Sequence, residues 1–180
     1  MGDDVSVAGM KGKQTVWDMV RSLAVIGLVV GAIYIFIPHD DKADPTRVVD
    51  YRVELITARR AAPYPVAAPQ GLSADWRATS VSYERRSGNA WHLGFLDPAG
   101  QYAAVEQSTL PARTYVPKVT QKAELTDRTQ AVGDATWQVW EGEKYDALVR
   151  EEKGSTTVVT GTGSIAQLTE LARALKAERG

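Results

Sequence analysis

His39 and His92 are the only histidines in this 180-residue chain, and cysteine is absent. Those two facts remove disulfides, thiolate metal centres, a cysteine nucleophile and a lipid-modified cysteine. They also leave too few imidazoles for a histidine-rich metal cluster, and no cofactor is implied. His92 stands between Trp91 and Leu93 in an alternating stretch, on the face opposite to both. General acid–base work needs a positioned partner. No neighbour in sequence supplies one, so His92 reads as a surface or hairpin-face histidine.

Glu141, Glu143, Glu151 and Glu152 are the carboxylates that could form a pair. Catalytic carboxylates must face each other across a substrate, whereas these four sit around turns and read as a solvated rim. Serines occur without a GxSxG elbow or an SxxK pair, the linear signatures of two nucleophilic hydrolase types. Gly161, Thr162, Gly163 and Ser164 precede a helical pattern and could offer free N–H groups to an anion. A phosphate loop needs more glycines and a following lysine, so an ordinary strand-to-helix turn is the simpler reading. Trp76, Trp91, Trp137 and Trp140 form a dense aromatic set that reads mainly as core. Trp137 and Val139 share one strand face, so Trp140 projects from the other and is the ligand-binding candidate. No catalytic or metal-binding residue is assigned.

The formal net charge is −1. Residues 1–38 hold 3 basic and 3 acidic side chains, leaving 21 − 3 = 18 and 22 − 3 = 19 for the remainder. Neither part is a polycation, which argues against nucleic acid as a partner. The segment 23–37, LAVIGLVVGAIYIFI, is an unbroken apolar run of fifteen residues. At 1.5 Å per residue it covers only ~23 Å of a hydrocarbon core of about 30 Å. Met19, Val20 and Ser22 extend it to a span over 19–38, provided that Arg21 snorkels to the headgroups. No small-residue cleavage site follows, and no polar face marks a core helix, so the run reads as an uncleaved membrane anchor.

Basic residues flanking the run are balanced, with Lys11, Lys13 and Arg21 before it and Lys42, Arg47 and Arg52 after it. Arg21, abutting the run, favours a cytoplasmic N-terminus. Gly27 and Gly31 make a GxxxG pair that could pack against another membrane helix. The expected organisation is a short cytoplasmic tail over 1–18, the anchor over 19–38, a charged linker over 39–50 and an extracytoplasmic domain over 51–180.

In that domain, 51–62 fits a helix with Val53, Ile56 and Arg60 on one face and Leu55, Ala58 and Ala62 as a second stripe, and the alternation of Val49, Tyr51, Val53 and Leu55 fits a strand equally well. Prolines 63, 65 and 69 enforce an extended connection. Strands are expected at 76–84, 91–96, 102–107, 135–140, 145–151 and 156–160. The second and third form a hairpin over the turn Asp97-Pro98-Ala99-Gly100. Segment 109–125 is ambiguous, with a short helix over 117–125 as one option. A helix from Ile165 through Leu175 carries Ser164 and Gln167 as a capping box, with Lys176 and Arg179 near its end. The fold class is α+β: one N-terminal membrane helix, then an antiparallel sheet of about five or six strands with helices packed on one face.

RRAAPYPVAAPQGL at 59–72, WHLGFLDP at 91–98, GDATWQVW at 133–140 and the closing GTGS, IAQL and ELARAL blocks are distinctive. With the anchor, the chain resembles the actinobacterial membrane proteins of domain-of-unknown-function family 4245. The resemblance implies an integral membrane protein with an extracytoplasmic α+β domain, and it carries over no functional residues. The expected function is a non-enzymatic binding or interaction domain held at the lipid bilayer, with an envelope or membrane-protein partner. An envelope hydrolase with carboxylates assembled only by the fold, or an accessory subunit acting through the anchor helix, are the alternatives.

Overall fold

The computed structural model describes residues 11–36 and 48–180, with side chains described from residue 16 to residue 30 of the first helix. The expected tail up to residue 10, the end of the apolar run at 37–38 and linker residues 39–47 lie outside them. The chain divides into two compact units, Met1–Pro45 and Thr46–Gly180. In the first unit, helix α1 runs Lys11–Phe36 and so begins well before residue 19, taking in part of the expected polar tail. Its described apolar side chains are exposed, from 49% at Val20 to 74% at Leu28. Among the described residues no helix is long and apolar enough to cross a membrane.

The second unit is an antiparallel α+β domain. Its elements are α2 (Arg52–Ala61), β1 (Val66–Pro69), β2 (Arg77–Glu84), β3 (Ala90–Leu96), β4 (Tyr102–Ser108), α3 (Ala112–Val119), β5 (Glu124–Val132), β6 (Ala135–Glu141), β7 (Asp146–Glu152), β8 (Ser155–Gly161), α4 (Ile165–Ala174) and β9 (Leu175–Glu178). Seven strands form one sheet in the order β2-β3-β4-β8-β7-β6-β5, and β1 pairs with β9 in a separate ribbon. The large sheet therefore exceeds the expected five or six strands. Two meanders, β2-β3-β4 and β5-β6-β7-β8, meet where β8 inserts beside β4.

Period-two alternation sorts the side chains to two faces. Trp91, Leu93, Phe95, Val105, Trp137, Val139, Leu148 and Val159 turn to one face and are covered by α2, α4 and the β1–β9 ribbon. Trp140, Ala147, Val149 and Val158 turn to the other, where Ala112, Tyr115 and Val116 of α3 lie on them. Helices thus pack on both faces, correcting the expectation of one. The misreading came from 109–125: α3 begins straight after Pro111, earlier than a helix over 117–125, and encloses Pro117. Its first free N–H, on Ala112, donates to Glu151 Oε1 at 2.7 Å, one orphan donor of the helix start satisfied by a side chain.

Segment 51–62 resolves as helix α2, with Ala58 and Ala62 buried and Leu55 packed against them, while Val53 and Ile56 of the other expected face are exposed. The capping box at Ser164 and Gln167 forms as expected, but the helix ends at Ala174. Leu175 continues its apolar stripe, yet 175–178 pairs with β1 in register Pro69↔Leu175 to Val66↔Glu178. Lys176 and Arg179 consequently lie outside the helix.

The hairpin turn forms with Gly100 at φ +77°, a left-handed conformation that favours glycine. Asp97 is buried, and its Oδ1 accepts from the Ala99 and Gln101 N–H groups at 2.9 and 2.7 Å. Its Oδ2 accepts from Gln167 Nε2 at 2.6 Å, tying the hairpin to the start of α4. Asp97→Ala is expected to cost roughly 2 kcal/mol, because three donors lose one acceptor group. Urea unfolding of the variant measures this.

Candidate functional site

Strand register assembles a polar line on the face that α3 partly covers. His92 of β3 lies directly across from Glu106 of β4, while Ser80 of β2 pairs with Gly94, two residues along. The Ser80 Oγ to His92 Nε2 distance is 2.7 Å, and His92 Nδ1 lies 2.6 Å from Glu106 Oε1. On the far side, the Tyr115 hydroxyl from α3 is 3.2 Å from Glu106 Oε2 and also 3.2 Å from the Gln107 carbonyl. In neutral His92, a hydrogen on Nδ1 donates to the carboxylate, leaving Nε2 to accept from Ser80. Four side chains from three strands and one helix therefore form a continuous hydrogen-bonded chain.

Two local features place Ser80. The β2–β3 register shifts between Ala78 and Ser80, an irregularity of the kind that re-aims a side chain. Gly94 supplies the room: a Cβ there would collide with Ser80 Oγ and lie 3.3 Å from His92 Nε2. The Glu106 side chain is 10% exposed and that of His92 26%. Burial pulls the His92 pKa down from 6.5, but the hydrogen bond and negative charge of Glu106 outweigh it and the net shift is upward. Burial, with Glu106 adding, raises the Tyr115 and Tyr102 hydroxyls, so both stay protonated.

The sign of the histidine shift sets a pH dependence. Above 6.5 the unfolded chain has released a proton that folded His92 still holds. That stabilisation is complete below 6.5 and disappears as pH rises through the folded value. Urea unfolding should show stability falling over this window in the wild type, with the His92 contribution to the slope absent from His92→Gln.

The opposite face holds a cleft of about 350 Å³ beneath the β1–β9 ribbon, lined by Gln107, Asp134, Trp137, Arg150, Glu152 and Thr157 among others. Gln107 forms its buried floor, accepting from Ala67 N at 2.7 Å and donating to Thr157 Oγ1 at 3.0 Å. Arg150 and Glu152 pair at 2.7 Å and are both substantially exposed. Its lining mixes the apolar Val132, Trp137 and Leu175 with the charged Asp134, Arg150, Glu152 and Arg173, a largely polar groove.

The carboxylates singled out in the sequence are dispersed. Glu141 pairs with Arg128, Glu151 holds the start of α3, and Glu152 pairs with Arg150. Among the described residues no group of three or more potential ligands is placed to hold a metal. Gly161 serves close packing, since an added Cβ would strike the Tyr102 carbonyl oxygen. Thr162 accepts from Tyr102 N at 3.1 Å, binding the same turn to the hairpin. Trp76, Trp91, Trp137 and Trp140 are all buried, whereas Trp17 of α1 is exposed. Trp140 lies beneath α3 with Nε1 lacking a hydrogen-bond partner. An added Cβ at Gly27 meets nothing within 4 Å. Sequence reasoning missed Ser80, Glu106 and Tyr115. The available signal was the hairpin itself: counting back from its turn brings Glu106 opposite His92.

The fold and these sites define a small antiparallel α+β domain preceded by an apolar helix. The chain belongs to the family described as "Protein of unknown function (DUF4245)", which matches residues 11–175. No curated protein matches it.

Proposed function

We propose that the protein is a membrane-tethered binding module. In this reading residues 19–38 cross the bilayer, 1–18 are cytoplasmic, 39–50 are a linker, and 51–180 stand outside. One observation carries it: the described apolar side chains of α1, from Val16 to Val30, are exposed around the whole helix. A helix apolar on all sides is unfavourable in water and belongs in lipid or in a protein interior. The sequence continues the apolar run to Ile37, seven residues past the last described side chain of α1. Arg21 lies over the Trp17 ring at 5.9 Å, a pairing suited to the headgroup region, where indoles and snorkelling arginines settle. The net charge of −1 gives no support for nucleic acid as a partner.

The sheet domain's cleft beneath the β1–β9 ribbon is the place for an envelope-derived ligand, with Trp137 in its lining; Trp140, the contact named from sequence, lies on the opposite face beneath α3. Exposed Ala177 lines this cleft, so Ala177→Trp places an indole in it. In a thermal-shift screen of envelope fragments, a cleft ligand should raise the wild-type midpoint and leave Ala177→Trp unchanged. Equal shifts in both proteins would remove the cleft from the account. An accessory-subunit reading rests on the Gly27 and Gly31 pair. Isoleucine at both positions should then abolish co-purification of a membrane partner, and survival of the association would leave the helix as a tether.

A further inference from the structure

We propose that Ser80 is an acyl-accepting nucleophile, with His92 as its general base and Glu106 as a positioning residue, acting on a carboxylic ester. This inference does not depend on the tether. The expectation of a domain without catalysis rested on linear motifs. Here nucleophile, base and orienting acid come from three adjacent strands, an order no linear motif captures. What identifies such a group is geometry: a hydroxyl within reach of a base that is itself held by a third group. The 2.7 Å and 2.6 Å separations meet that requirement.

The arrangement is specific in its details. Ser82, not Ser80, is the direct cross-strand neighbour of His92, yet it is exposed, and the imidazole bonds Ser80. Gly94 keeps the space between Ser80 and His92 clear, and the Tyr102 ring closes it at 3.4 Å from the point where a Cβ would sit. That space is too tight for even one added carbon, and it serves to hold the hydroxyl against the imidazole. The second Glu106 oxygen is occupied by Tyr115, which fixes the carboxylate toward the imidazole.

In the reaction, Ser80 Oγ bonds to the ester carbonyl carbon as its proton passes to His92 Nε2. The tetrahedral adduct breaks its bond to the alkoxy oxygen, which leaves as the alcohol with that proton. Water, deprotonated by His92, then attacks the acyl-serine, and the carboxylic acid departs as Ser80 regains a hydrogen. One ester and one water give one acid and one alcohol, with no redox change. His92 must be neutral to accept the first proton, and the titratable groups facing it are Glu106, Tyr102 and Tyr115.

The test uses the full-length chain with a fluorophosphonate and with p-nitrophenyl acetate. The expected result is phosphonylation mapped to the Ser80 peptide, with a rate that rises with pH to a midpoint above 6.5. Ser80→Ala should abolish the label, and His92→Gln should slow ester hydrolysis by about 10²-fold or more. Glu106→Gln should lower the plateau rate and move the midpoint down, a displacement that a merely structural glutamate would not produce. Wild-type protein that is folded by circular dichroism but unlabelled at Ser80 would overturn the proposal. So would a label that forms equally fast on the denatured chain, or ester hydrolysis unchanged in Ser80→Ala.

Discussion

Trp91→Ala is expected to lower the unfolding free energy of the sheet domain by about 3–5 kcal/mol. Trp91 is fully buried at the centre of the larger core cluster. Its indole N–H donates to the Ala67 carbonyl at 3.0 Å, so it fastens the β1–β9 ribbon to the sheet as well as filling volume. Alanine would leave both a cavity and an unpaired buried carbonyl, and those two costs act together. Trp91→Phe separates them: it retains most of the volume and should lose about 1–2 kcal/mol. Urea unfolding followed by circular dichroism measures both. A loss below about 1 kcal/mol for alanine would mean that the ribbon is not held through this residue.

The second large effect falls on the polar line. Glu106→Ala should cost about 3 kcal/mol at pH 6, because it strips the carboxylate from a part-buried imidazolium and leaves the Tyr115 hydroxyl with one acceptor fewer. The penalty should shrink at higher pH as His92 becomes neutral. Glu106→Ala and His92→Gln should be non-additive, since the two side chains are in contact. A double-mutant cycle at pH 6 and again at pH 9 measures this coupling. Equal coupling at both values would show that charge has no part in it.

Much of this architecture can be read from residue order where local chemistry and tertiary structure agree. The β3–β4 hairpin follows from alternation around Asp97-Pro98-Ala99-Gly100, and α4 starts where Ser164 and Gln167 place it. The departures have physical causes. Strand β5 is an edge strand, exposed along most of its length with Leu125 at 45%, so neither face imposes an apolar period on ELTDRTQAV. Strand β9 continues the apolar stripe of α4, and only its pairing with β1, far away in sequence, turns Leu175 out of the helix. The His92 line was half legible. Hairpin register yields Glu106, but Ser80 depends on a register shift in β2, and Tyr115 on the path of α3 across the sheet. The 350 Å³ cleft depends on that same β1–β9 pairing and was not foreseeable from any one segment.

The central claim is that α1 tethers an outward-facing domain to a membrane. Protease treatment of intact spheroplasts, with immunodetection of tags at the two ends, tests it most directly. The account predicts that the chain pellets with membranes through an alkaline wash. It also predicts that the C-terminal tag is lost to external protease while the N-terminal tag is protected. Release by the alkaline wash, or protection of the C-terminal tag until the membrane is breached, would contradict it.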